Sequence, residues 1–279
     1  MTSIHSRKRA LVHTWLVGSV AIWLFLLMAG TVHGVAQPEY TPVTVGDVGT
    51  INGRVVLGAN SFKPAMMEVL QDNKSCGKGK QSPRLIVGKD QGVSGAIVHL
   101  EGISSGKRFA ETKDNLLEQK NCEYSPHVMV VPVGTKLNIV NNDAVLHNVH
   151  CYDCTKDLRT IFNIAQPVKG LKSCTKSLDT PGLLTLSCDA GHPWMSAYVM
   201  VAKHPYYAVT DKNGNFSLDN IPPGNYTLHM WHEGISISKK ELEHEKVKKY
   251  EYEEPYEQSM QVTVSPKSTT TTNFTLVLR

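Results

Sequence analysis

The eight residues Cys188-Asp189-Ala190-Gly191-His192-Pro193-Trp194-Met195 constrain this chain more than any other segment. They place a thiol, an imidazole and a thioether at the end of the apolar run Leu183-Leu184-Thr185-Leu186-Ser187. Side chains alternate faces along a strand, so Leu184, Leu186 and Cys188 point the same way and the thiol is expected on the apolar, water-shielded side. A buried Cys on its own behaves as a small inert hydrophobe. Joined by an imidazole and a thioether it becomes a copper ligand set: soft sulfur selects copper, and two His, one Cys and a weak axial Met mark a blue-copper electron-transfer site. The second His must come from elsewhere. The segment Asn141-Asn142-Asp143-Ala144-Val145-Leu146-His147-Asn148 offers His147 at the edge of another apolar strand, forty-one residues before the Cys.

In these two segments the chain resembles the cupredoxins. Pro132-Val133-Gly134-Thr135-Lys136-Leu137-Asn138-Ile139-Val140-Asn141-Asn142-Asp143, followed by His147-Asn148, is similar to the strand pair that ends in their first His ligand. Thr180-Pro181-Gly182-Leu183-Leu184-Thr185-Leu186-Ser187-Cys188 is similar to the strand that ends in their Cys. The resemblance spans residues 113–202 and implies His147, Cys188, His192 and Met195 as the ligands of one copper ion per chain. It also implies a carrier of single electrons between redox protein partners rather than an enzyme. A dinuclear centre with the same Cys-x-x-x-His-x-x-Met spacing needs a second Cys four residues earlier, where this chain has Leu184, so the site is expected to be mononuclear. Cys188 is flanked by Ser187 and Asp189 rather than by the histidines that relay electrons to a trinuclear cluster in multicopper oxidases.

The 279 residues allow two modest domains, and 41% hydrophobic with 19% charged residues is ordinary globular composition. Arg7-Lys8-Arg9 precedes an uncharged run from Trp15 to Gly30 and small residues near Val35-Ala36, so residues 1–36 are expected to be a signal peptide and the protein periplasmic or extracellular. The alternative is an uncleaved anchor, the only membrane attachment expected, but the run falls short of the roughly 20 residues a spanning helix needs. Without residues 1–36 the chain carries 26 Lys and Arg against 25 Asp and Glu. Such a balance argues against nucleic acid as a partner. The stretch from Lys239 to Glu257 mixes Lys, Glu and Tyr and is expected to be a solvated insertion or extended hairpin.

Six cysteines suit an oxidising compartment. With Cys188 reserved for copper, Cys76 and Cys122 are expected to pair, and Cys151, Cys154 and Cys174 compete for one further bond. Cys151 and Cys154 with His150 are an alternative Cu(I) site of a copper-handling or storage protein. A structural or carbohydrate-binding module with a stabilising metal is a third reading. His150 and His127 are expected to face solvent or to sit behind the ligands.

The rest of the chain reads as short strands bounded by Gly: Gly49 to Gly58, Val93 to Gly102, a hairpin over Val209 to Leu218 with its turn at Lys212 to Asn215, and Ile221-Pro222-Pro223-Gly224-Asn225-Tyr226 leading into another strand. A last strand is expected at about Thr272 to Leu278. This order resembles the carboxypeptidase regulatory-like domain, a small transthyretin-like β-sandwich, with the cupredoxin-like segment between its second and third blocks. The resemblance implies an all-β protein of two Greek-key β-sandwich domains. Residues 37–112 and 203–279 would form the host, and 113–202 the inserted copper domain.

Overall fold

The computed structural model describes residues 39–58, 62–111, 115–155 and 157–279; the expected signal peptide lies outside them. Within the described residues the chain is almost entirely β, built from four principal sheets and several short ones.

Two of these sheets enclose the core that holds Cys188 and Met195. In the first, the strand order is Val128–Pro132, Ser196–Ala202, Gly182–Ser187, His147–Asp153, Arg159–Gln166. The second runs Glu123–Ser125, Leu116–Lys120, Asn138–Asn141, Lys172–Cys174. Period-two patterning sends Leu117, Ile139, Val149, Cys151, Leu184, Leu186, Val199 and Val201 between them. The other two sheets enclose a separate core. One runs Tyr207–Val209, Ile97–Glu101, Gly224–His232, Tyr256–Val264; the other runs Asn215–Ile221, Gly49–Leu57, Thr269–Leu276. Ile51, Val55, Val98, Leu100, Leu228, Met230 and Phe274 fill the space between them. Strands from before residue 102 therefore pair only with strands from after residue 206 in these sheets.

The two sandwiches meet sheet to sheet. Ile97 and Trp231, which alternate with core residues Val98 and Met230, turn outwards and pack with Val128, Val130, Leu183, Tyr198 and Met200, which alternate in the same way with Met129, Val131, Leu184 and Val199. A strand buried on both faces loses its polar alternation. That is why Val128-Met129-Val130-Val131 reads as an unbroken apolar run.

Three local expectations are corrected. Val209 and Asn215 do flank a turn, with Gly214 N–H donating to the Asp211 carbonyl at 2.9 Å, yet the flanking strands join different sheets and form no hairpin. Val93 to Gly102 is interrupted at Gly95, which has φ 84°, and yields Val93–Ser94 and Ile97–Glu101. The expected extended hairpin is present as Ile237–Glu243 and Lys246–Tyr252, but it is not merely solvated: Tyr250 is buried, and Ile237, Val247 and Tyr252 pack against the core that holds Cys188. Among the described residues no helix is long and apolar enough to cross a membrane.

Candidate metal centre

Strand register places the first two expected ligands. His147–Asp153 runs antiparallel to Gly182–Ser187, with Cys151 opposite Leu186 and His150 opposite Ser187. Directly opposed residues share a face and alternate residues return to it, so His147, Val149 and Cys151 point inward with Leu184, Leu186 and Cys188. His147 lies where the chain leaves the neighbouring strand for the 188–195 loop. That loop folds back over it: Met195 N–H donates to the His192 carbonyl at 2.9 Å, and the Asn148 side-chain oxygen accepts from Asp189 N–H at 2.7 Å and Ala190 N–H at 3.2 Å.

His147 and His192 are both fully buried. Their Nδ1 atoms stand 3.2 Å apart, and Cys188 Sγ lies 4.0 Å from the first and 3.6 Å from the second. The three atoms lie on a circle of radius about 2.1 Å, set by those separations. Zinc bonds imidazole nitrogen at about 2.0–2.1 Å and thiolate at about 2.3 Å, so a first-row ion fits among the three atoms once the sulfur moves out by about 0.2 Å; the thiolate and thioether are what favour copper among such ions. Met195 is 1% exposed and belongs to the same core as Cys188.

Two carboxylates orient the rings. His147 Nε2 is 2.9 Å from Asp143 Oδ2, and His192 Nε2 is 3.1 Å from Asp72 Oδ2. A carboxylate only accepts, so these partners assign the proton of each neutral imidazole to Nε2. Both Nδ1 lone pairs then face each other across 3.2 Å with the thiol beside them. Two buried acceptors in contact leave each other unsatisfied, and a shared cation removes that penalty. The donor set and its geometry fit copper.

Electrostatics agree. Burial pushes His192 below its ordinary value, aided by His147 and opposed by Asp72 and Asp143, so it is neutral and able to ligate at pH 7. Burial pushes the Cys188 thiol up, while backbone hydrogen bonds from Asn148 and Ala190 pull it down.

Cys188 and Met195 therefore share one core, all four expected ligands are buried, and the thiol and both imidazoles converge. Sequence reasoning missed the two carboxylates and Asn148. Asp143 lies four residues before His147, where Asn141 shapes the turn by accepting Asp143 N–H at 2.9 Å; an Asn-Asn-Asp run signals a turn rather than a ligand partner. Asp72 carries no signal at all, being 120 residues from His192.

Other expectations fare differently. Cys76 and Cys122 are bonded as expected. Cys151, Cys154 and Cys174 are all free, so the further bond is absent. Cys151 faces the core beside Leu186, and burial pushes its thiol up to about 12. His150 stands behind the site, 2.6 Å from Asp189 Oδ2 and 2.9 Å from Thr160 Oγ1. His127 is not solvent-facing: it contacts Glu233, which Arg84 approaches at 2.8 Å, in a buried ionic group between the sandwiches.

A family model for the carboxypeptidase regulatory-like domain matches residues 185–277, starting inside the segment assigned above to the copper domain. No curated protein matches the chain. Solved structures similar to part of it include cupredoxins and a copper-containing nitrite reductase. A purple cupredoxin from Nitrosopumilus maritimus is 22% identical over 32% of this chain and 100% of its own, with TM-score 0.28. A variant of amicyanin is 19% identical over 38% of this chain and 98% of its own, with TM-score 0.28. A copper-containing nitrite reductase from Thermus scotoductus is 20% identical, with TM-score 0.26; the match covers 31% of this chain and only 22% of that enzyme.

Proposed function

We propose that this chain is an exported mononuclear copper protein that carries single electrons between redox protein partners. In this reading His147, Cys188, His192 and Met195 would hold the copper, and a copper domain over 113–202 is inserted in a host sandwich formed by 37–112 and 203–279. One observation carries it: two imidazole nitrogens, each freed for ligation by a carboxylate on the far side of its ring, and a buried thiol surround one point at bonding distance. Bound there, copper supplies a one-electron couple between its two common oxidation states. The protein holds the rings and the thiol in place beforehand and keeps both imidazoles out of water.

Titration with Cu(II) followed by voltammetry tests the proposal. The expected result is one tightly held copper per chain and a reversible one-electron wave that Cys188→Ser abolishes. Several tightly held coppers, or one copper without a reversible wave, contradict the carrier reading; the former favours storage through Cys151 and Cys154.

A further inference from the structure

The outer edge of His192 is closed by residues that precede the copper segment by tens of positions. Met66–Glu68 and Gly79–Gln81 form a small hairpin whose connection contains Gln71, Asp72 and the short helix Asn73–Cys76. Met67, Val69 and Cys76 are buried in the core that also holds Cys188 and Met195. Cys76 is bonded to Cys122, 46 residues on, and both sulfurs lie within 4.8 Å of a ring nitrogen of His192.

The segment meets the ligand loop tightly. Gln71 Nε2 donates to the Ala190 carbonyl at 2.6 Å. Gly191, at φ 87°, sits so close beneath it that a Cβ there would fall 1.9 Å from Gln71 Nε2. Asp72 adopts φ 54° and ψ 30°, a left-handed conformation, and its carbonyl accepts from Ser75 N–H at 2.8 Å and Cys76 N–H at 2.9 Å. An Asp in that region is held there by its surroundings. Here the surroundings are the turn that ends in the disulfide. The carboxylate stays partly exposed, at 38%, so its charge keeps some hydration while reaching His192 Nε2 at 3.1 Å.

We infer that Asp72 is a positioning residue of the metal centre, held against His192 by the Cys76–Cys122 bond. It keeps the His192 proton on Nε2, aims the Nδ1 lone pair at the shared point, and lays an anion and a buried strap over the ligand edge. The inference rests on the copper reading above. It adds that a segment from outside 113–202 sets how tightly copper is held. Partners of metal-bound imidazoles typically contribute a factor of about 10–100 in metal affinity.

The test uses the full chain with Asp72→Ala, Asp72→Asn and the double replacement Cys76→Ser with Cys122→Ser. Without metal, nitrogen NMR of the His192 ring is expected to report Nε2 protonated in the wild type and a mixture of tautomers in Asp72→Ala. With copper, loss to excess chelator is expected to be about 10–100 times faster in Asp72→Ala and in the cysteine double variant. Asp72→Asn, which can still accept the Nε2 proton, is expected to retain the tautomer while its midpoint potential moves up, because an anion that favours the higher oxidation state is gone. A wild-type tautomer in Asp72→Ala, or copper loss within twofold of wild type, overturns the role of Asp72. A wild type that takes no copper yet shows the tautomer change overturns the copper reading and leaves the positioning contact standing.

Discussion

At the scale of single residues the proposed ligands can be picked out of the sequence and the groups that support them cannot. Cys188, His192 and Met195 announce themselves by type and order, and His147 by its place after an apolar strand. Each is a residue whose chemistry has few other uses in that company. Asp143 is different. Its Oδ2 accepts from Cys122 N–H at 2.7 Å and holds His147 Nε2, and its Oδ1 accepts from Asn121 N–H at 2.8 Å. In sequence it is one more turn-forming residue, because a carboxylate's partners are decided by folding. Asp143→Ala orphans those donors at about 1–3 kcal/mol each where they stay buried, and frees the His147 ring. Chelator competition is expected to show copper affinity lowered about 10–100-fold, and urea unfolding a lower midpoint. Unchanged affinity would show that Asp143 serves the turn alone.

At the scale of elements, strands were readable wherever one face met a core and the other met water. Where a segment departs from that rule, its strands are legible and its contacts are not. The 237–252 hairpin is charged along most of its length, so it reads as solvated, yet its few apolar positions cover the core that holds Cys188. Its end is fixed by Tyr252, whose ring centre lies 3.3 Å from the guanidinium carbon of buried Arg84, and Tyr252 Oη donates to Met67 Sδ at 3.7 Å. A desolvated cation–aromatic contact of this kind contributes about 2 kcal/mol. Tyr252→Ala is expected to lower global stability by about that amount, and Tyr252→Phe, which keeps the ring, to remain near wild type in chemical unfolding. Equal losses in both variants would place the effect in the hydroxyl instead.

At the scale of the molecule, the split order of the host-like motifs was visible in sequence, but the contact between sandwiches was not. It depends on which faces of which strands lie back to back, and residues such as Ile97 and Trp231 look like any other strand residues. Arg84, Glu233 and His127 form its ionic part. Burial alone would raise the Glu233 carboxyl; His127 and Arg84 outweigh it and hold the group below its ordinary 4.5. Removing one partner of a buried pair costs about 3–5 kcal/mol, so Glu233→Gln is expected to lower the unfolding free energy by that order at pH 7.

Acid acts on the same region. Burial, with His229, His204 and Lys203 nearby, pushes His99 down to about 3, and burial with Lys203 pushes His204 down to about 4. Both stay neutral in the fold and bind protons once unfolded, so the stability they contribute is complete above pH 6.5 and is lost as pH falls towards 4. Each contributes a slope of at most about 1.4 kcal/mol per pH unit. Urea unfolding at pH 7 and pH 5 is expected to show the loss, and His99→Gln to reduce it. A flat profile would mean that these rings are reached by water.

X-ray absorption at the copper edge of the loaded full-length chain reads directly whether one thiolate and two imidazoles share an ion. One short sulfur distance and two nitrogen scatterers are expected in the wild type, with the short sulfur distance gone in Cys188→Ser. A wild-type spectrum fitted by nitrogen and oxygen alone, or one indifferent to Cys188→Ser, would contradict the shared ion.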